Sequence, residues 1–100
     1  MTQKAKGPLE GVVVVDLSRI LAGPYCTFLM AEMGARVIKV EPPKGGDDAR
    51  AYGPFVSGRS TYFASVNRGK ESIALDLKAD ADRAIFEKLL AKADVIVENF

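Results

Sequence analysis

The sequence has no histidine, no tryptophan and one cysteine, Cys26, in 100 residues. Without histidine, this chain alone can build no Ser–His–Asp or Cys–His arrangement and no histidine-ligated metal site. A lone cysteine cannot close an internal disulfide, which fits a reducing compartment such as the cytoplasm. No apolar run approaches the roughly 18 residues of a membrane span. The opening MTQKAKGPLE carries lysines without the apolar stretch of a secretory signal. Neither sign of charge dominates: 14 basic residues face 13 acidic ones, for a net charge of +1. That balance argues against nucleic acid and against a membrane surface as partners. The glycine-rich phosphate fingerprints G-x-G-x-x-G and Walker A are also missing.

What is present is a well-filled hydrophobic pattern, with 48% apolar residues, enough for a packed core. Residues 1–8 read as a leader. Gly11 to Leu17, with valines at 12–15, reads as a central parallel strand, apolar on both faces. Pro24 suits the first turn of a helix. Cys26, Leu29, Met30 and Met33 then fall on one helical face and are expected to be core, and Gly34 marks the stop. RVIKVE, residues 36–41, is a second strand ended by Pro42 and Pro43. The stretch that follows, to about residue 60, is rich in Gly, Pro, Ser and charge and shows no periodicity. Loops of that length are usually functional or bound to something. A short helix is expected over 61–67 and a strand in SIALDLK. A helix capped by Asp80 or Asp82 follows, burying Ile85, Phe86, Leu89, Leu90 and Ala93. The last strand, DVIVENF, places Val95, Ile96 and Val97 apolar on both faces. The order predicts a doubly wound α/β fold. Only two good helices are available to cover a four-stranded sheet, so the chain reads as the N-terminal piece of a longer protein.

In such a fold ligands collect at the carboxyl ends of the strands. Those ends are Asp16 to Ala22, Glu41 to Lys44, Leu77 to Lys78 and Glu98 to Phe100. Arg19 and Lys78 could offset the charge of an anion there, beside the helix that starts near Pro24. Each residue also has an ordinary reading: Asp16 as a turn former, Arg19 and Lys78 as solvated charge, Asn99 as the start of a turn. Glu41 could bind a ribose hydroxyl, as in dinucleotide sites, but lacks the accompanying fingerprint. The residues alone therefore point to a nucleotide-like ligand in a strand-end crevice, and no further.

Five segments taken together say more. LEGVVVVDLSRILAGPYCTFLMAEMGARVIKVEPP, GDDAR, GPF, STYFASVNRGKESIALDLK and KADVIVENF occur in an order and spacing that resemble the class III CoA-transferases of the CaiB/BaiF type, which include formyl-CoA transferase. The resemblance covers nearly all of residues 9–100 and implies a Rossmann-like, mostly parallel sheet with flanking helices. It implies the N-terminal, CoA-binding part of an enzyme that moves CoA from an acyl-CoA to a carboxylic acid. Coenzyme A is there a substrate, with no permanently bound cofactor and no metal. An aspartate of the family attacks the thioester and forms an aspartyl anhydride. The resemblance places that nucleophile beyond residue 100, so no catalytic residue is expected in this chain, and Asp16, Asp47 and Asp48 do not fill the role.

Carried over position by position, CoA contacts fall on Arg19, Ile20, Leu21 and Ala22 in the first turn. They continue at Leu75 and Lys78 after the third long strand, and at Asn99 and Phe100 after the fourth. Some members place an arginine directly after the glutamate that ends the second strand. Pro42 stands there in this chain, which leaves Lys44, or residues outside this stretch, to supply that charge. An interlaced homodimer is implied as well, with residues 42–60 packed on the partner subunit or on downstream segments. Two other readings share these residues: an α-methylacyl-CoA racemase on the same scaffold, and a non-catalytic nucleotide- or CoA-binding module.

Overall fold

Four consecutive valines cannot all face one side of a strand, so the sheet built on them must be covered on both faces. A computed structural model, which describes residues 7–100, shows how this is done. Strand β1 (Val13–Asp16) lies at the centre, paired in parallel with β2 (Arg36–Glu41) on one side and β6 (Val95–Val97) on the other. Strand β5 (Glu71–Ala74) adds to β2, giving the all-parallel order β5-β2-β1-β6. Helix α1 (Ala22–Glu32) connects β1 to β2, and α3 (Asp80–Lys92) connects β5 to β6. A short antiparallel pair, β3 (Phe55–Val56) with β4 (Arg59–Ser60), leads into α2 (Thr61–Ser65). The expected α/β architecture with a parallel sheet is the one observed. Of the expected leader, residues 1–6 lie outside the described residues. Leu9 donates its N–H to the Met33 carbonyl (2.9 Å), and the Gly7 carbonyl accepts from Glu10 (3.1 Å).

The register sets Val14 beside Val37 and Val95, and Val15 beside Ile38 and Ile96. Val14 and Val37 form one core with Ala31 and Ala35, with Met30 packed against it. Val15, Val40 and Leu75 form the other, beneath Phe86, Leu89 and Leu90 of α3. The two helices therefore take opposite faces, as the right-handed crossovers of parallel strands require.

Several expectations are corrected. The side of α1 that packs inward is Gly23, Pro24, Thr27, Phe28 and Ala31. Cys26, Leu29 and Met33 are exposed, so the cysteine is not core. Small residues let the helix lie close to the sheet: a Cβ on Gly23 would sit 2.2 Å from that of Ser18. Helix α3 begins after Ala79 with no side-chain cap, because the Asp82 carboxylate accepts the Asp76 N–H instead (2.8 Å). Ile85 on α3 and Ile96 on β6 are exposed, Ile96 at 52%. The last strand is therefore not covered on both faces. Residues 42–60 are not structureless: a 3-10 turn over Asp48–Ala51 and the β3–β4 hairpin occupy most of them.

The upper half of the α1 face is ionic. Continuing the alternation, Asp16, Lys39, Glu41 and Ser72 share the face of Val14 and Val37. Thr27 of α1 reaches its edge at Asp16 (2.6 Å). The 3-10 turn, Phe63 of α2 and Lys70 close over it, with the Phe63 ring 3.9 Å from the Arg50 guanidinium and 5.8 Å from the Lys39 ammonium. The long loop thus supplies cover that the helix count lacked.

Candidate functional site

Where β1, β2 and β5 end, a cleft of about 310 Å³ opens. Leu17, Val40, Pro42, Pro43, Leu75 and Leu77 give it apolar walls, and Arg19, Lys78, Asp48 and Phe100 stand among the lining residues. Arg19 reaches Asp48 at 3.4 Å, with both side chains more than half exposed. Among the described residues Lys78 enters no ion pair. A second groove gathers Arg50, Arg59 and Arg68 around Phe63, and none of the residues carried over from the family lines it.

Of the expected contact residues, the cleft brings together Arg19, Leu75, Lys78 and Phe100. Leu75 is only 4% exposed and belongs mainly to the core under α3, whereas Phe100 is 82% exposed. Ile20, Leu21 and Ala22 lie just outside, on the turn that leads into α1. Lys44 is exposed and does not line the cleft, while Pro42 does. Asn99 bridges the turn: its Oδ1 accepts the Arg19 N–H (3.1 Å) and its Nδ2 donates to the Arg19 carbonyl (2.9 Å). An amide keeps one further N–H and one lone pair beyond these two bonds.

The turn itself is unusual. Ile20 has φ +72°, a left-handed conformation that a β-branched residue rarely adopts. Its N–H donates to both oxygens of Asp47 (3.0 and 3.3 Å). Asp47 pairs with the Lys39 ammonium at 2.8 Å, both side chains 1% exposed, and the same ammonium donates to the Ser18 carbonyl (3.0 Å). Two more pairs flank this one. Lys70 meets Asp16 at 3.0 Å, and Arg50 grips Glu41 through Nε and Nη2, each at 2.7 Å. Thr27 donates to Asp16 (2.6 Å), and Ser18 donates to it through both hydroxyl and N–H. Burial alone would raise the Asp16 pKa. The Ser18 and Thr27 bonds and the two lysines outweigh it and hold it below the usual range. Glu41 behaves likewise: burial opposes ionisation, but bonds from Arg50, Ser72 and the Asp47 N–H bring its pKa to about 2. Among the described residues no buried side-chain nitrogen or oxygen lacks a hydrogen-bond partner.

This ionic layer is what sequence reasoning missed. The signal was there in RVIKVE, where Lys39 and Glu41 alternate with Ile38 and Val40 at the period of two that assigns faces. Among the described residues, no group of three or more acidic or cysteine side chains is placed to hold a metal ion. No helix among them is long and apolar enough to cross a membrane.

Residues 9–100 match the model of CoA-transferase family III. The chain is 56% identical over 97 residues to acetyl-CoA:oxalate CoA-transferase of Acetobacter aceti, covering 97% of this chain and 25% of that protein. It is 52% identical over 94 residues to succinyl-CoA:glutarate CoA-transferase of Homo sapiens, covering 93% and 22%. The crystal structure of a CaiB/BaiF family protein from Brucella suis superposes with a TM-score of 0.88 at 46% identity, over 96% of this chain and 26% of that one. The chain thus spans about a quarter of the length of these relatives.

Proposed function

The chain belongs to CoA-transferase family III, and on that premise we propose that it forms the CoA-binding part of an enzyme that moves CoA from an acyl-CoA to a carboxylic acid. The observation that carries the reading is the cleft over three parallel strand ends, apolar in its walls, with Lys78, outside any ion pair among the described residues, and Arg19, beside Asp48, among its lining residues. Leu17, Val40, Pro42 and Leu77 offer surface to the adenine or the pantetheine arm. Lys78 and Arg19 offset phosphate charge. Ile20, Leu21 and Ala22 line the path along the start of α1, and Phe100 is free to pack on the ligand. Asn99 acts chiefly by holding the Arg19 backbone in place.

In this reading the nucleophile is an aspartate beyond residue 100. Its carboxylate bonds to the acyl carbon as the C–S bond breaks, giving a mixed anhydride and CoA thiolate. The thiolate attacks the aspartyl carbonyl and releases the donor acid, leaving an aspartyl-CoA thioester. The acceptor carboxylate displaces CoA from this thioester to form a second anhydride. The thiolate then takes the new acyl group and restores the aspartate. CoA leaves covalent attachment twice, so its nucleotide must stay anchored throughout, which is the task of this cleft. Asp16 and Asp47 are buried in ion pairs and are not presented to a thioester. The exposed hairpin residues Phe55 and Val56 support packing of residues 42–60 on a partner subunit in an interlaced homodimer. A cytoplasmic setting belongs to the same reading.

Calorimetry on the full-length protein tests it. CoA is expected to bind, and Lys78→Ala to weaken binding about tenfold, as for a lost hydrogen bond to a charged group. Preference for NAD over CoA would overturn the reading. Exchange of the α-proton of an acyl-CoA with deuterated water, without transfer to any acid, would favour the racemase instead.

A further inference from the structure

We propose that Asp47 is a positioning residue for the CoA-facing turn: its carboxylate, paired with Lys39, holds Ile20 in the left-handed conformation that presents residues 19–22 to the ligand. The inference rests on the CoA reading of the cleft for its functional half and on geometry alone for the other. A β-branched residue stays at positive φ only where its surroundings over-determine it. Here three contacts converge on three successive residues. Lys39 holds the Ser18 carbonyl, Asn99 engages both backbone groups of Arg19, and Asp47 takes the N–H of Ile20 itself.

Asp47 has little freedom to turn away. Its own N–H donates to Glu41 Oε1 (2.8 Å), and its Oδ1 also accepts the Ala49 N–H (2.9 Å). An ionised carboxylate is suited to this position, because its two oxygens serve Lys39, Ala49 and Ile20 together. An asparagine has a single acceptor oxygen. Replacing a buried ion pair with apolar residues often costs no stability, so the pair is weakly explained by stability and better explained by what it orients.

The test uses the full-length protein with D47N, I20G and the double variant I20G/D47N. Without any CoA, amide exchange at Ile20 is expected to be faster in D47N than in wild type, once exchange at β1 shows equal global protection. Unchanged protection at Ile20 would overturn the proposal. In turnover, D47N is expected to raise KM for the acyl-CoA about tenfold, the scale of one strained backbone residue, with a smaller change in kcat. In the I20G background the same substitution should raise KM by less than about threefold, since glycine adopts positive φ unaided. A purely structural role would reduce the active fraction, and so kcat, and leave KM unmoved in both backgrounds; that result also overturns the proposal. If wild-type protein does not bind CoA, the CoA reading falls, and the exchange measurement still decides whether Asp47 holds the turn. Should D47N fail to fold, Asp47→Glu keeps the charge beside Lys39 while displacing the oxygens from Ile20, and is judged by the same two measurements.

Discussion

Glu41 closes β2 with a carboxylate that accepts from Arg50, Ser72 and the Asp47 N–H, so one side chain ties the loop after β2 to both β2 and β5. Its carboxyl titrates at 4.5 when unperturbed and at about 2 in the fold. Between those values the unfolded chain carries the extra proton. The stabilisation is therefore complete above pH 4.5 and is lost as the pH falls towards 2. The difference is worth at most about 3 kcal/mol, lessened because the Arg50 side chain is 44% exposed and its charge is screened. Glu41→Gln should lower the stability of the full-length protein at neutral pH and flatten its acid dependence in that window. Urea midpoints for wild type and variant across the acid range check this; parallel pH profiles would refute it.

Among the elements, α1 separates what a pattern can reveal from what it cannot. Its length and position are legible from Pro24 and Gly34, but the side that faces the core is not. The helix is apolar on two sides, and the inner one joins Gly23 and Ala31, which permit close approach, to Thr27, which donates to Asp16, and to the buried ring of Phe28. Volume at a contact is a tertiary property that a period of 3.6 does not encode. Gly23→Ala, whose Cβ would meet Ser18, and Ala31→Leu, against Val14 and Val37, should each destabilise by about 1–3 kcal/mol through overpacking. Leu29→Ala should cost less than either. Thermal or urea denaturation of the three variants ranks them, and a larger loss for Leu29→Ala would show that its exposed side is buried elsewhere in the full-length protein. The strands are more legible, because β1 is marked by its run of valines and β2 by its alternation of apolar with charged residues. Of the residues that the resemblance names, Arg19, Leu75, Lys78 and Phe100 line the cleft, and as a place, at the strand ends, the cleft was legible. The holding of its turn was not, because the bonds from Asp47 and Asn99 to Ile20 and Arg19 span 27 and 80 positions in the chain.

For the whole molecule, the described surface leaves Ile96, Phe100, Leu21, Tyr25 and Leu29 exposed around α1, β6 and the cleft. These side chains form apolar surface beside a sheet whose last strand is covered on one face only. The isolated piece should melt in urea without a steep cooperative transition when followed by circular dichroism. A sharp two-state melt would show that the two small cores suffice. The Asn99 bridge also orders events in time. On a ribosome, β1, α1 and β2 emerge together and can pair at once, yet the Arg19 backbone has no partner until Asn99 follows, 80 residues later. The turn is thus completed only after the 80 residues that follow Arg19 have been made. A nascent chain therefore carries this turn unfinished until β6 has docked beside β1, and on the proposed reading CoA cannot stabilise it before then.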